Sequence, residues 1–427
     1  MNSFLRTILE SVVIAMLFAL TLFSMAHAED RGNGWHTDPF PDERPTPAQE
    51  LLTGLNAFNW NLYSELSADP GKNLFYSPYS IYEALAMVYT GARGQTAEQM
   101  DGVMLLQMSP ETLGQTVSAL HKTLHPSATG DNPFHLTVAN ALWGQKSVPF
   151  HKTFLDTLEQ YYGAGLRLAD FKNNAESERK TINDWVQKQT NDRIKDLLAP
   201  GDVDSGTRLV LTNAIYFKAA WAEPFQQGLT TKADFHLYNG KTVSVDMMRS
   251  VEKYRLYDAG NFRAAVLPYA GGQMSMVLIL PDPGKLEAVE QMLVGAGFGN
   301  VVPAMALSGE FRKLDLQLPR FRMETNFSLA QTLKHMGMPA AFTNAADFSG
   351  MTDTESLKID GVIHKAFVAV DEKGTEAAAA TGIAMRATSA PPPETPVPFI
   401  CDRPFLLVIQ HNHSNTILFT GRVSDPS

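Results

Sequence analysis

The chain has 427 residues, enough for one large domain or two to three ordinary ones. It is 44% hydrophobic and 19% charged with 24 Phe, so general disorder is excluded and a sizeable core can be buried. A formal net charge of −10, with no run of Lys and Arg, argues against a nucleic-acid partner and against dependence on a heparin-type polyanion.

The N-terminus carries Arg6, an apolar run from Val12 to Phe23 and the small-x-small pattern Ala26-His27-Ala28. That order predicts a secretory signal cut after Ala28, with a secreted or periplasmic product. Glu10 sits awkwardly in it, and a membrane anchor is the alternative, although the apolar run is short for a span. Residues 29–45 are polar with Gly and Pro and read as a flexible leader. Thr46, Pro47 and Gln49 then form a capping box before Leu51, Leu55, Phe58 and Leu62 on one helical face, so residues 46–427 are expected to form a single domain.

Helices dominate the first half. Ile182, Trp185, Val186 and Ile194 recur at helical spacing. The later half turns to strands, with Leu314, Leu316 and Leu318 alternating, "MSMVLILPD" apolar throughout until Pro281, and "KAFVAVD" alternating again. "FLLVIQHNHSNTILFTGRV" reads as two strands about a turn. No repeat or linker divides the chain after Pro47, and the fold class is α+β.

Enzyme motifs are missing. There is no G-x-S-x-G, H-E-x-x-H, G-x-x-x-x-G-K-[ST] or paired C-x-x-C, and "GAGFG" at Gly295 lacks the dinucleotide spacing. The chain is therefore expected not to be an enzyme and to need no cofactor or metal. His411 and His413 are expected at a solvated hairpin tip. Cys401 is the only cysteine, so no internal disulfide is possible, and a half-buried thiol beside a strand is expected. His364, in "DGVIHKAFVAV", belongs on a central strand, as a histidine satisfied by core hydrogen bonds.

The segments "NLFYSPYSIYEALAMVYTGARGQTAEQM", "NDWVQKQTNDRIKDLL", "LVLTNAIYFKAAWAEPF", "FHLYNGKTVSVDMM", "LPYAGGQMSMVLILPD" and "IHKAFVAVDEKGTEAAAAT" together resemble the serpin family, in order from about residue 47 to the end. The resemblance implies three β-sheets, eight or nine helices and an exposed reactive loop, here about residues 372–398. It implies a suicide inhibitor of serine proteases that forms a covalent 1:1 complex, and a monomer is expected. A target cleaves the loop, the acyl-enzyme forms, and the loop enters the central sheet as a new strand; such insertion is an established property of this family. A strand of about 15 residues spans roughly 50 Å, so the attached protease is carried far. A non-inhibitory member acting as a binding or chaperone module is the alternative.

The resemblance places the hinge at Glu372, Gly374, Thr375, Ala377, Ala378, Ala379, Ala380 and Thr381. Period-2 alternation puts Thr375, Ala377, Ala379, Thr381, Ile383 and Met385 inward and the charged Glu376 and Arg386 outward. An unpaired charge on the inward set would cost several kcal/mol. Thr375 is expected to be the first loop residue buried. Ser77, Ser80, Asn213 and His364 resemble the cluster that governs sheet opening, and Trp221 resembles the aromatic at the top of the sheet. The scissile bond, at the seventeenth residue from Glu372, falls at Thr388–Ser389, with Arg386–Ala387 the alternative. The first points to an elastase- or subtilisin-like protease, the second to a trypsin-like one.

Overall fold

The first helix, α1 (Pro47–Leu66), starts where the capping box predicts. The Gln49 amide donates to Thr46 Oγ1 at 3.3 Å, and the Thr46 amide donates to Gln49 Oε1 at 2.8 Å. Leu51, Leu55, Phe58 and Leu62 are all buried. The computed structural model describes residues 45–125, 134–163, 165–295, 301–376 and 394–427. The signal sequence, the leader, the alanine run and both candidate scissile bonds lie outside the described residues. Pro45–Ser427 cluster as one unit.

After α1 come β1 (Leu74–Tyr76), α2 (Pro78–Tyr89), α3 (Gly94–Met104) and α4 (Pro110–Leu124). They are followed by β2 (Phe134–Gln145), α5 (Lys152–Tyr162), β3 (Arg167–Ala169) and α6 (Phe171–Gln189). Five strands then run in succession: β4 (Leu209–Ala220), β5 (Thr231–His236), β6 (Thr242–Asp258), β7 (Phe262–Pro268) and β8 (Met274–Pro281). Next are α7 (Leu286–Gly295), α8 (Val301–Ser308), β9 (Glu310–Pro319), β10 (Phe321–Ser328) and α9 (Ala330–Met336). The chain closes with β11 (Gly361–Asp371), β12 (Gly374–Thr375), β13 (Val397–Ile400), β14 (Phe405–His411) and β15 (Thr416–Val423).

One six-stranded sheet has the order β10-β11-β12-β4-β2-β3. The other strands form a nine-stranded ladder, β1-β15-β14-β8-β7-β6-β9-β13 with β5 on β6. The three sheets implied by the resemblance are joined here into two ladders, because β6 is long. It pairs with β9 over Met247–Leu256 and with β7 over Arg255–Asp258, so hydrogen bonding runs on from one part to the next.

All of α2 is buried, because it lies between the ladders, touching β15 on one side and β2 and β4 on the other. Its sequence "PYSIYEALAMVY" fits that position, apolar or small almost throughout with Glu83 its one charge. The alternation expected at Leu314, Leu316 and Leu318 holds, and every residue of β8 is buried as its unbroken apolar run implies. "KAFVAVD" does not alternate: Lys365 to Val368 are all buried, because β11 lies inside its sheet with both faces covered.

Three further expectations are corrected. The helix bearing Ile182, Trp185 and Val186 ends at Gln189, and Ile194 is buried from a turn beyond it. Thr190 Oγ1 takes over the local bonding, donating to the Val186 carbonyl at 2.9 Å and accepting from the Ile194 amide at 3.1 Å. Asn191 and Asp192 then adopt φ of 50° and 62°, a left-handed conformation that these two residue types tolerate. The hairpin tip is solvated only in part: His413 is exposed, whereas His411 is buried and pairs through Nδ1 with Ser414 Oγ at 2.8 Å. Cys401 is fully buried rather than half-buried, and burial pushes its thiol pKa up, so it is inert.

Candidate functional site: the slot between β4 and β11

β4 and β11 run parallel and pair directly from Val210–Tyr216 to Gly361–Phe367. Beyond Phe367 they part, and a third strand stands between them. β11 ends at Asp371, whose carboxylate accepts from the Lys373 amide at 2.8 Å and closes a tight turn. Gly374 and Thr375 return antiparallel, pairing with Asp371 and Val370 on one side and with Ala220 and Ala219 on the other. The hinge has thus entered the sheet by two residues. Thr375, expected to be the first loop residue to go in, is already fully buried.

Gly374 is required at this entry point. Its φ is +155°, and a Cβ on it would lie 2.1 Å from the Ala219 carbonyl oxygen. Thr375 Oγ1 and the Tyr269 hydroxyl share a hydrogen bond of 2.6 Å. The Tyr269 ring stacks on Trp221, with centroids 4.6 Å apart and planes 8° from parallel. Trp221 in turn donates from Nε1 to the Asp371 carbonyl at 3.0 Å and from its amide to the Lys373 carbonyl at 2.9 Å. Glu372 is buried, accepting from Arg320 at 2.5 Å and from Thr230 Oγ1 at 2.7 Å. Burial alone would raise its pKa, but these donors outweigh it and hold the carboxyl below the usual range. Glu376 has a φ of 46° and leaves the sheet on the opposite face, where its carboxylate pairs with Arg193. The inward threonine follows the parity read from the sequence.

Lower down, a polar row crosses the sheet. Asn140 on β2 stands opposite Asn213 on β4, and Asn213 stands opposite His364 on β11. His364 is fully buried, and burial lowers its pKa to about 3, so the ring is neutral, with one donor and one acceptor. Its Nε2 accepts from the Ser77 amide at 3.2 Å, and its Nδ1 pairs with Asn213 Oδ1. Asn213 Nδ2 donates to Ser80 Oγ at 2.5 Å and to Asn140 Oδ1. Asn140 Nδ2 donates to Glu83 Oε2 at 2.8 Å. Any strand passing further between β4 and β11 must break the Asn213–His364 bond.

Ser77, Ser80, Asn213 and His364 therefore form one hydrogen-bonded network. Trp221 does not touch it and belongs to the hinge entry, just past the end of β4. Asn140, Glu83, Tyr269, Arg320, Thr230 and Arg193 were not legible as site residues. One signal was present for Glu83, a lone carboxylate in a helix otherwise fit only for burial.

These features define a class: an α+β protein whose large sheet holds the first residues of its own downstream loop between two parallel strands. Comparison gives that class its family. A family model described as serpin (serine protease inhibitor) matches residues 53–426. An uncharacterized serpin-like protein of Thermococcus kodakarensis is 36% identical over 403 residues, covering 94% of this chain and 92% of that protein. The leukocyte elastase inhibitor of Bos taurus is 39% identical over 386 residues, covering 88% and 100%. Among solved structures, uncleaved ovalbumin superposes with a TM-score of 0.79 at 29% identity, covering 88% of this chain and 100% of that one. Human thyroxine-binding globulin complexed with its hormone gives 0.80 at 28%, covering 90% and 100%. The chain belongs to the serpin family.

Proposed function

We propose that this serpin is a suicide inhibitor of serine endopeptidases, and the observation that carries the reading is the position of β12. A loop whose first two residues already pair with both β4 and β11 needs only to continue along the same slot. The protease serine oxygen attacks the carbonyl carbon of Thr388, the amide nitrogen of Ser389 takes up a proton and departs, and an ester joins the two proteins. The freed chain then extends β12 downward, replacing the β4–β11 ladder with two new ladders. Ester hydrolysis competes with that movement, and inhibition requires that insertion finish first. The small uncharged inward set, Thr375, Ala377, Ala379 and Thr381, supports rapid insertion over the alternative of a binding or chaperone module.

The assay is incubation with elastase, subtilisin and trypsin, followed by a denaturing gel. A band at the summed mass less the C-terminal peptide is expected with elastase or subtilisin, which the similarity to a leukocyte elastase inhibitor also favours. Cleavage with no such band overturns the mechanism. Mass spectrometry of the released C-terminal peptide should find Ser389 first. A peptide beginning at Ala387, with trypsin the faster target, moves the bond to Arg386.

Export is part of the same proposal. The run Val12–Phe23 before Ala26-His27-Ala28 motivates a mature chain beginning at Glu29, secreted or periplasmic. N-terminal analysis of exported protein checks it, and Met1 retained in the membrane fraction overturns it.

A further inference from the structure

The network below the slot continues beyond Asn140 to a buried carboxylate and a surface histidine. Every orientable donor along it points one way. The Ser77 amide donates to His364, His364 Nδ1 to Asn213, Asn213 to Asn140, and Asn140 to Glu83. Glu83 is a buried acceptor at the end of this chain, and its charge sets the direction of the bonds before it. Asn140 and Asn213 are amides that would flip if the terminus became a donor.

The counter-charge comes from α4. His121 Nδ1 lies 3.0 Å from Glu83 Oε1, and among the described residues Glu83 is the only acidic group within 4 Å of that imidazole. The other groups facing the pair are few. Tyr79, also on α2, approaches Glu83 Oε1 at 3.4 Å and His121 Nδ1 at 3.3 Å. Tyr162 on α5 carries a phenol that burial, and then the charge of Glu83, holds neutral. His125, one turn on along α4, stacks on His121 with centroids 4.1 Å apart.

We propose that Glu83 and His121 are positioning residues for sheet opening, their contact anchoring the end of the hydrogen-bond chain through Asn140, Asn213 and His364 that keeps β11 against β4. The inference rests on the loop-insertion reading above. The hydrogen bond to Glu83 raises the His121 pKa above 6.5 against the opposing effect of burial. Burial, and then the charge on His121, lowers that of His125, so the two stacked rings are shifted in opposite directions. Because the folded pKa of His121 lies above the unfolded one, its stabilisation is complete below about 6.5 and is lost as pH rises through the folded value. Above that pH the cation facing Glu83 is lost, and the end of the hydrogen-bond chain is no longer anchored from α4. That loosens the slot, so opening should be faster at high pH.

The experiment follows entry of a dye-labelled, N-acetylated peptide, TEAAAATGIAMR (residues 375–386), into the uncleaved full chain at pH 6.0 and pH 8.5. Wild type should take up the peptide about tenfold faster at pH 8.5. His121→Gln, a change at a partly exposed position, should do so at one fast rate at both pH values. Glu83→Gln, an uncharged acceptor for Asn140, should also lose the pH dependence. An equal pH slope in wild type and His121→Gln overturns this inference and leaves loop insertion standing. No uptake under any condition, with no protease trapping on the gel, overturns both.

Discussion

Under the proposed inhibitory function, Thr375→Arg is expected to make this serpin a substrate that is cleaved without trapping its protease. Thr375 is fully buried, bonded to Tyr269 and paired with Val370 and Ala219. A guanidinium in that position would displace the hydroxyl bonded to Tyr269 inside a fully buried site. The penalty is on the order of a few kcal/mol or more. Here the structure changes the expected course of events. The substitution acts before any protease arrives, by expelling the hinge from the two-residue position it already holds. The rest of the fold does not depend on that contact, since β4 and β11 pair directly below it. Insertion then starts from outside the sheet and has to bury the arginine on the way. Each 1.4 kcal/mol added to a barrier slows a step about tenfold, so hydrolysis of the ester should win. The mutant should be cut at the same bond and release active protease, and Thr375→Ser should retain activity. The ratio of covalent complex to cleaved inhibitor on a denaturing gel measures this. Trapping at the parental level by Thr375→Arg would show that the loop does not work by insertion.

The second large effect is expected at Glu372. Its carboxylate is 4% exposed and joins Arg320 and Thr230 to the turn at the mouth of the slot. Glu372→Lys would place two cations together where a hydrogen-bonded pair stands. Arg320 is 47% exposed, so solvent screens the pair and the cost falls below the about 3–5 kcal/mol of a fully buried one. A loss of about 2 kcal/mol is roughly 2–3 °C in Tm for a domain of this size. It also frees strand edges on β4 and β11 at the point of entry, and unpaired edges recruit other chains. Lower Tm and a ladder of oligomers on a native gel at 37 °C are the expected results. The paired change Glu372→Lys with Arg320→Glu should recover most of the Tm, because it restores opposite charges. No recovery would mean that the position matters through packing instead.

The residues whose roles follow from local rules were readable in advance. The capping box at Thr46 needs only its neighbours three positions away. The inward direction of Thr375 follows from the two-residue period of an extended chain, whereas Glu376 turns away through a left-handed conformation. The buried strands announced themselves by unbroken apolar runs ended by proline or charge. Ser77, Ser80, Asn213, His364 and Trp221 were found through resemblance, since no spacing rule joins residues so far apart.

What the chain's order of residues determined by itself was which side chains could enter a sheet, and that the hinge carries no inward charge. It could not say how far the hinge had already gone in. That depends on Trp221 and Tyr269 meeting over Thr375, on Arg320 reaching Glu372, and on Arg193 holding Glu376 in a left-handed turn. Nor could it reveal that Glu83 terminates a chain of donors, since the links run through residues 57 and 151 positions apart, Asn140 to Glu83 and His364 to Asn213. Sequence periodicity reports which face of an element a residue occupies, because that is fixed by backbone geometry over a few residues. Which distant polar group completes a buried hydrogen bond is settled only when two sheets close on α2 and every donor inside must find a partner without water.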